Sequence, residues 1–404
     1  MIHVAIMGFG TVGTGVAEIL RMNEKLIENQ LGEQISLKYI LDIRDFPESP
    51  YADFVIHDFD RIIEDPEIDV VAETIGGARI AYEYTKKALL AGKSVVTSNK
   101  ELVATKGVEL LQIAREHGAH YYFEASVGGG IPILRPLVQC LAGNQIDEIC
   151  GILNGTTNYI LTRMVRGGVS FDEALKEAQK LGYAEQDPTA DVEGFDSCRK
   201  ICILANLAFG HEIPPEYVPT EGISGVTLQD VELVEKAGWR VKLVGRALLG
   251  ADGKVYAYVA PHMIQEHQAL ASVEDVSNAI MVRGNAVGEV MFYGPGAGML
   301  PTASAVVTDM INAAQRGAKG LPLEWTACKP ELVGDAKELK LRYYFRVQNS
   351  LEDVQNIFPQ CEILNENNEI AFITEKMMMK DIEKGAKALK VCARLCILDS
   401  YLRV

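Results

Sequence analysis

Residues 1–20, MIHVAIMGFGTVGTGVAEIL, decide the fold. A β-rich run from His3 to Met7 leads into Gly8-Phe9-Gly10-Thr11-Val12-Gly13, and Val16, Ala17, Ile19 and Leu20 follow at helical spacing. Strand, glycine turn and helix come in the order that lets backbone amides and a helix N-terminus meet a pyrophosphate. A lone G-x-G-x-x-G says little. In this context it predicts a dinucleotide site built on Gly8, Phe9, Gly10, Thr11, Val12 and Gly13, with a merely tight strand-to-helix turn as the bland alternative.

Further strands are expected at Leu37 to Leu41, Ile68 to Ala72 and Ser94 to Thr97, each running into a turn. The first ends at Asp42-Ile43-Arg44, where an acid suits the ribose hydroxyls of NAD and an arginine suits the extra phosphate of NADP. Both residue types are present, so the residues alone leave the coenzyme open. The others end in Glu73-Thr74-Ile75-Gly76-Gly77 and Ser98-Asn99-Lys100. In an open parallel sheet ligands lie beyond the strand carboxyl ends, so these turns belong to one crevice with Ser98 and Lys100 on its rim. The expected class is α/β: a Rossmann-type doubly wound sheet in a dinucleotide-binding domain at 1–130.

A chain of 404 residues, 48% apolar, exceeds what one core fills and predicts two or three domains. The net charge of −16 argues against nucleic acid or an anionic membrane as partner. Eight cysteines without paired C-x-x-C spacing read as core thiols in a reducing cytoplasm. The start has no basic n-region and no apolar run is long enough to span a bilayer, so neither a secreted nor an integral membrane protein is expected.

Residues 178–200, AQKLGYAEQDPTADVEGFDSCRK, crowd Glu185, Asp187, Asp191, Glu193 and Asp196 ahead of Lys200. Such crowding is costly unless a cation or polar groups sit among the carboxylates. Residues 195–209 read as a helix with Ile201, Leu204, Ala205, Ala208 and Phe209 on one apolar arc, and Asp196 and Lys200 share a face at its margin. The bland reading is an ordinary exposed helix pair. The functional reading is a carboxylate orienting an ammonium beside an apolar wall, which makes the lysine a usable proton donor.

Ala178, Gly182-Tyr183-Ala184, Asp187-Pro188, Asp191-Val192, Gly194, Asp196 and Lys200 resemble the signature segment of homoserine dehydrogenases. The resemblance implies Lys200 as proton donor, Glu185 and Asp196 as ligands of the substrate, Tyr183 and Asp191 as supporting members of the pocket, and Gly182 close to the cofactor. It makes Lys100, within Thr97-Ser98-Asn99-Lys100-Glu101, a second functional lysine near nicotinamide and substrate. It tilts the coenzyme expectation towards NADP, with Arg44 as phosphate contact. The implied activity interconverts L-aspartate 4-semialdehyde and L-homoserine with a nicotinamide coenzyme, in threonine, methionine and isoleucine biosynthesis.

The run Phe123-Glu124-Ala125-Ser126-Val127-Gly128-Gly129-Gly130-Ile131-Pro132 suits a hard monovalent cation or, equally from the residues alone, a hinge. In the family it resembles, a glutamate and alternate carbonyls bind sodium, which maps to Glu124, Val127, Gly129 and Ile131. Gly151-Ile152-Leu153-Asn154-Gly155-Thr156-Thr157-Asn158 resembles the family's strand-to-helix corner, where Asn154 and threonines such as Thr156 suit a substrate carboxylate and equally suit a helix cap. A substrate-binding and dimerisation domain is expected at 131–300, with a segment around 300–325 returning to complete the first domain. By the same resemblance the chain is a homodimer or higher homo-oligomer.

Residues 340–404 can be arranged as βαββαβ, resembling the ACT domain appended to many homoserine dehydrogenases. The usual aspartate-rich turn is replaced by Gln348-Asn349-Ser350-Leu351, which leaves effector control, dimer contact and a degenerate remnant all open. Two rivals to the overall reading are another dehydrogenase on the same nucleotide fold and a non-enzymatic NAD(P)H sensor. The acidic run and Lys200 would have no use in a sensor.

Overall fold

The computed structural model describes residues 1–315 and 320–399. The expectations for the middle of the 300–325 segment and for a last strand reaching Val404 therefore fall partly outside the described residues. The chain divides into two compact units, one of Met1–Gly143, Asn206–Glu212 and Gly294–Ala327, the other of the remainder.

The first unit holds a six-stranded sheet of β1 (Ile2–Met7), β2 (Ile35–Leu41), β3 (Val55–Ile56), β4 (Ile68–Glu73), β5 (Ser94–Thr97) and β6 (Tyr121–Tyr122). Their order is β3-β2-β1-β4-β5-β6, and every pairing is parallel. The middles of β1, β4 and β5, Val4-Ala5-Ile6, Val70-Val71-Ala72 and Val95-Val96, are apolar and buried because helices cover both faces of such a sheet. The order reverses beside β1, which opens a crevice at the carboxyl ends of β1 and β4. Helix Thr11–Met22 follows β1 at once, buries Val16, Ala17, Ile19 and Leu20, and packs on helix Met299–Ala314. The third glycine of the turn is obligatory, since a Cβ on Gly13 would lie 2.0 Å from the Gly8 carbonyl oxygen.

The second unit is built on a nine-stranded sheet. Its central strands are β7 (Ile146–Ile152), β8 (Trp239–Leu249), β9 (Val255–Gln265), β10 (Ser277–Gly284) and β11 (Gly288–Pro295). After the short pair β12 (Lys340–Leu341) and β16 (Met377–Met378) come the tail strands β13 (Tyr343–Val347), β14 (Glu362–Glu366), β15 (Ile370–Ile373) and β17 (Val391–Ile397). The full order is β11-β10-β7-β8-β9-β17-β13-β15-β14.

With helices Leu351–Ile357 and Met379–Ala386, the tail follows the βαββαβ order. Its last strand joins β9 in parallel, Cys396 opposite His262 and Ile397 opposite Met263. The tail thus continues the central sheet, and Tyr258, Tyr343, Phe345, Phe358 and Phe372 share one core. No helix among the described residues is long and apolar enough to cross a membrane.

Candidate active site

In the first unit a cavity of about 370 Å³ lies at the carboxyl ends of the strands, lined by Gly8, Gly10, Leu41, Asp42, Ile43, Arg44, His57, Thr74, Ile75, Gly76, Ile80 and Tyr84. Gly10 precedes helix Thr11–Met22, so the first-turn amides of Thr11, Val12 and Gly13 stand at its N-terminus. Phe9 serves the turn differently from the expectation. Its ring is buried edge-on against Phe46 at 5.0 Å, and its N–H donates to Asp42 Oδ2 at 2.7 Å.

Asp42 also accepts from the backbone and Nε of Arg44, each at 3.0 Å. Burial raises the Asp42 carboxyl, but these Arg44 and Phe9 bonds hold it down to about 2. The Arg44 guanidinium lies exposed over the Phe46 ring, 5.0 Å from its centroid. Asp42 and Arg44 both line the cavity and form its polar rim. Helix N-terminus, glycine turn and arginine fit a nicotinamide dinucleotide. Ser98 and Lys100 are half-buried on the next turn, where Asn99 caps helix Lys100–Glu116 by accepting from Leu102 N–H at 3.0 Å.

In the second unit helix Phe195–Phe209 carries Asp196 and Lys200 on one face as expected, and both are buried. Lys200 Nζ is 2.8 Å from Asp196 Oδ2 and donates to the Leu153 carbonyl at 2.7 Å. Asn154 completes the cluster. Its Nδ2 donates to Asp191 Oδ1 at 2.7 Å and to Asp196 Oδ2 at 2.9 Å, while its Oδ1 accepts from Thr157 N–H at 2.8 Å and caps helix Gly155–Gly167. The carboxylates are tolerated because one ammonium and one amide lie among them.

Thr156 donates its hydroxyl proton to the Tyr183 carbonyl at 2.6 Å, so it fastens that turn and keeps only acceptor capacity for a ligand. The Tyr183 ring is exposed and packs edge-on against Tyr159 at 5.0 Å. Gly182, at φ +76°, and Glu185 lie exposed in the same turn, where Gln179 Nε2 holds the Glu185 carbonyl at 3.1 Å.

The glycine-rich run of the first unit differs from its expectation in one respect. Glu124 Oε1 accepts the N–H groups of Ile133 and Leu134 at 2.6 and 2.7 Å, and Oε2 accepts that of Arg135 at 2.8 Å. This carboxylate is a backbone clamp and has little capacity left for a metal. Backbone carbonyls fit better: among the described residues those of Val127, Gly129 and Ile131 accept no backbone hydrogen bond. Behind the run, Asp309 takes the Glu124 N–H at 2.8 Å and a bond from Arg135. No group of three or more His, Cys, Asp or Glu among the described residues is placed to hold a metal ion.

The Leu153 carbonyl, Arg135 and Asp309 were not among the expected site residues. Asn154 is expected as a substrate-carboxylate or cap group; its cap position explains its oxygen and leaves the bridge from its nitrogen to Asp191 and Asp196 unread.

A glycine-turn nucleotide crevice at the switch point of a Rossmann sheet marks the class of NAD(P)-dependent oxidoreductases. Residues 8–124 match the model for the NAD-binding domain of homoserine dehydrogenase, and residues 132–311 the homoserine dehydrogenase model. The chain is 44% identical to the homoserine dehydrogenase of Bacillus subtilis over 77% of this chain and 72% of that one. It is 39% identical to that of Pseudomonas aeruginosa over 95% and 89%. Among solved structures, the homoserine dehydrogenase of Thiobacillus denitrificans superposes with a TM-score of 0.90 at 35% identity, covering 98% of each chain. A hyperthermophilic archaeal homoserine dehydrogenase in complex with NADPH superposes at 0.67 and 31% identity, covering 79% of this chain and 99% of that one. The chain belongs to the homoserine dehydrogenase family.

Proposed function

We propose that the protein catalyses the reversible NAD(P)-dependent reduction of L-aspartate 4-semialdehyde to L-homoserine, in the branch leading to threonine, methionine and isoleucine. The observation that carries this reading is the buried Lys200 ammonium, 2.8 Å from Asp196 and 2.7 Å from the Leu153 carbonyl. The nicotinamide, when bound, supplies the hydride to the aldehyde carbon. Lys200 gives a proton to the oxygen that becomes alkoxide, and in the oxidative direction takes it back. Asp196 orients that ammonium and, with Glu185, Tyr183, Asp191 and Thr156, receives the polar ends of the substrate. Lys100, Ser98 and Gly182 serve the nicotinamide end, and Lys100 adds a second cation.

Arg44 favours NADP as coenzyme, because it is the exposed cation at the ribose rim while Asp42 is engaged by Phe9 and Arg44. A monovalent cation, sodium by family likeness, is held by carbonyls of the 124–131 run and has a structural role. The chain works in the cytoplasm as a homodimer through its central sheet; exposed Met291 and Tyr293 on edge strand β11 support that contact. Domains at 1–130 with the return segment, 131–300, and an ACT-like tail at 340–404 complete the assignment.

The test is NADPH and NADH oxidation with aspartate semialdehyde, comparing the parent with Lys200→Ala. Turnover falls by about 10²-fold or more while coenzyme affinity stays within about twofold. Parent-like turnover in the variant removes the proton-donor role.

A further inference from the structure

Glu73 ends β4 completely buried, an acid directly after the apolar run Val70-Val71-Ala72. Burial pushes its carboxyl up to about 7, against the pull of its two donors. Oε2 accepts the Thr97 hydroxyl at 2.5 Å and Oε1 the Ile75 N–H at 2.7 Å. Thr97 Oγ1 in turn accepts the Asn99 N–H at 2.9 Å. Asn99 Nδ2 closes the circuit by donating to the Ile75 carbonyl at 3.3 Å and the Gly77 carbonyl at 2.8 Å. One ring of hydrogen bonds therefore ties the turn after β4 to the turn after β5.

The first of these turns supplies Thr74, Ile75 and Gly76 to the wall of the nucleotide cavity. Thr74 Oγ1 also donates to the Gly8 carbonyl at 2.7 Å, so the glycine turn joins the same assembly. The second turn carries Ser98 and Lys100. A buried acid is an expensive way to hold a strand end, where apolar residues pack without desolvation cost. What it offers instead is two acceptors from a single group, aimed at a backbone amide of one turn and a hydroxyl of the other.

We infer that Glu73 is a positioning residue for the coenzyme: with Thr97 and Asn99 it fixes the turns at 74–77 and 98–100 in their coenzyme-binding arrangement before the dinucleotide arrives. The inference rests on the assignment of this cavity to the coenzyme and says which buried group preorganises it.

The experiment compares the full-length parent with Glu73→Gln, Glu73→Ala and Thr97→Val. Coenzyme affinity is read by NADPH fluorescence titration, melting temperature without coenzyme by scanning fluorimetry, and kcat and KM for each substrate by assay. Glu73→Ala weakens NADPH binding by about tenfold or more, as loss of two buried hydrogen bonds with their donors left unpaired does. Glu73→Gln keeps one oxygen for Ile75 and falls between parent and Glu73→Ala. Thr97→Val weakens binding to the same degree as Glu73→Gln, and the double variant adds little, because both break the same link. At saturating coenzyme the KM for aldehyde stays within about twofold, the split expected when coenzyme positioning alone is disturbed.

If Glu73→Ala does not fold, Glu73→Gln and Thr97→Val decide. Unchanged NADPH affinity in both, with only a lower melting temperature, overturns the inference and leaves Glu73 a fold-supporting group. Failure of the parent itself to bind NADPH would instead overturn the assignment of the cavity.

Discussion

Lys200 and Asp196 form an ion pair of 2.8 Å across one helical turn, with both side chains buried. An exposed pair at this spacing contributes a few tenths of a kcal/mol and orients nothing. Burial changes its meaning, because a desolvated ammonium persists only where acceptors surround it, and here they are Asp196 and the Leu153 carbonyl. Charge alone therefore does not replace Lys200. Lys200→Arg keeps a cation next to Asp196 but introduces a guanidinium that does not release its proton in the working range. Turnover of Lys200→Arg stays within about tenfold of Lys200→Ala, and steady-state assays across pH 6–9 check it. Parent-like turnover in the arginine variant would mean that the site needs only a charge.

Asn154 separates into two functions that mutation can divide. Its oxygen caps helix Gly155–Gly167 and its nitrogen bridges Asp191 and Asp196. Asn154→Ser retains a capping hydroxyl and removes the bridge, so stability changes little while turnover falls by about tenfold or more through carboxylate repulsion beside Lys200. Asn154→Ala loses about 1 kcal/mol of capping in addition. Equal turnover in Asn154→Ser and the parent would show the bridge to be incidental.

The coenzyme rim predicts a change of preference. Arg44→Ala removes the exposed cation and releases the Asp42 carboxylate from two side-chain donors, Arg44 Nε at 3.0 Å and Nη2 at 3.1 Å, while the backbone N–H at position 44 remains. The KM for NADPH rises by about ten- to a hundredfold, the range for a hydrogen bond to a charged group, while that for NADH holds or falls. Parallel KM determinations with the two coenzymes check this, and a proportional rise in both would reject Arg44 as the selecting residue.

What was legible in the sequence is what local spacing encodes. The strand, glycine turn and helix at residues 2–22 lie within one stretch, and the Asp196–Lys200 relationship is an i,i+4 spacing on a helix whose bounds, Phe195–Phe209, follow from its apolar period. Asn154 meets Asp191 and Asp196 from 37 and 42 residues away, and Glu73 meets Thr97 from 24. Such pairings depend on which strand ends lie side by side, which periodicity does not state. Glu124 shows the same limit: its residue type suggested a cation ligand, whereas its partners are amides at 133–135. The merging of the tail into the central sheet through Cys396 and His262 has no local signature.

Glu124 leads to a prediction that separates clamp from cation site. Glu124→Gln turns one acceptor into a donor facing a backbone N–H, so it lowers the melting temperature in any salt, with a cost of about 1–3 kcal/mol. A cation held by the carbonyls of Val127, Gly129 and Ile131 still stabilises the variant. Sodium chloride therefore raises the melting temperature of both proteins relative to choline chloride at equal ionic strength. No cation-specific rise in either protein rejects the site.

Glu73 makes the stability of the protein depend on pH with a defined sign. Its carboxyl is pushed up to about 7 in the folded chain by burial, against an ordinary value of about 4.3. A raised acid favours the folded state fully below the unfolded value, and that contribution is lost as pH rises through 7. The titratable side chain that faces it, the Tyr121 phenol on β6, is itself raised well above its ordinary value by burial and stays neutral throughout. Glu73→Gln does not ionise and lacks this term. The stability of the glutamine variant relative to the parent therefore improves between pH 5 and 8, by about 2 kcal/mol at about 1.4 kcal/mol per pKa unit. Melting temperatures of both proteins at half-unit pH intervals check it. A constant difference over that window would mean that Thr97 and Ile75 hold Glu73 ionised throughout.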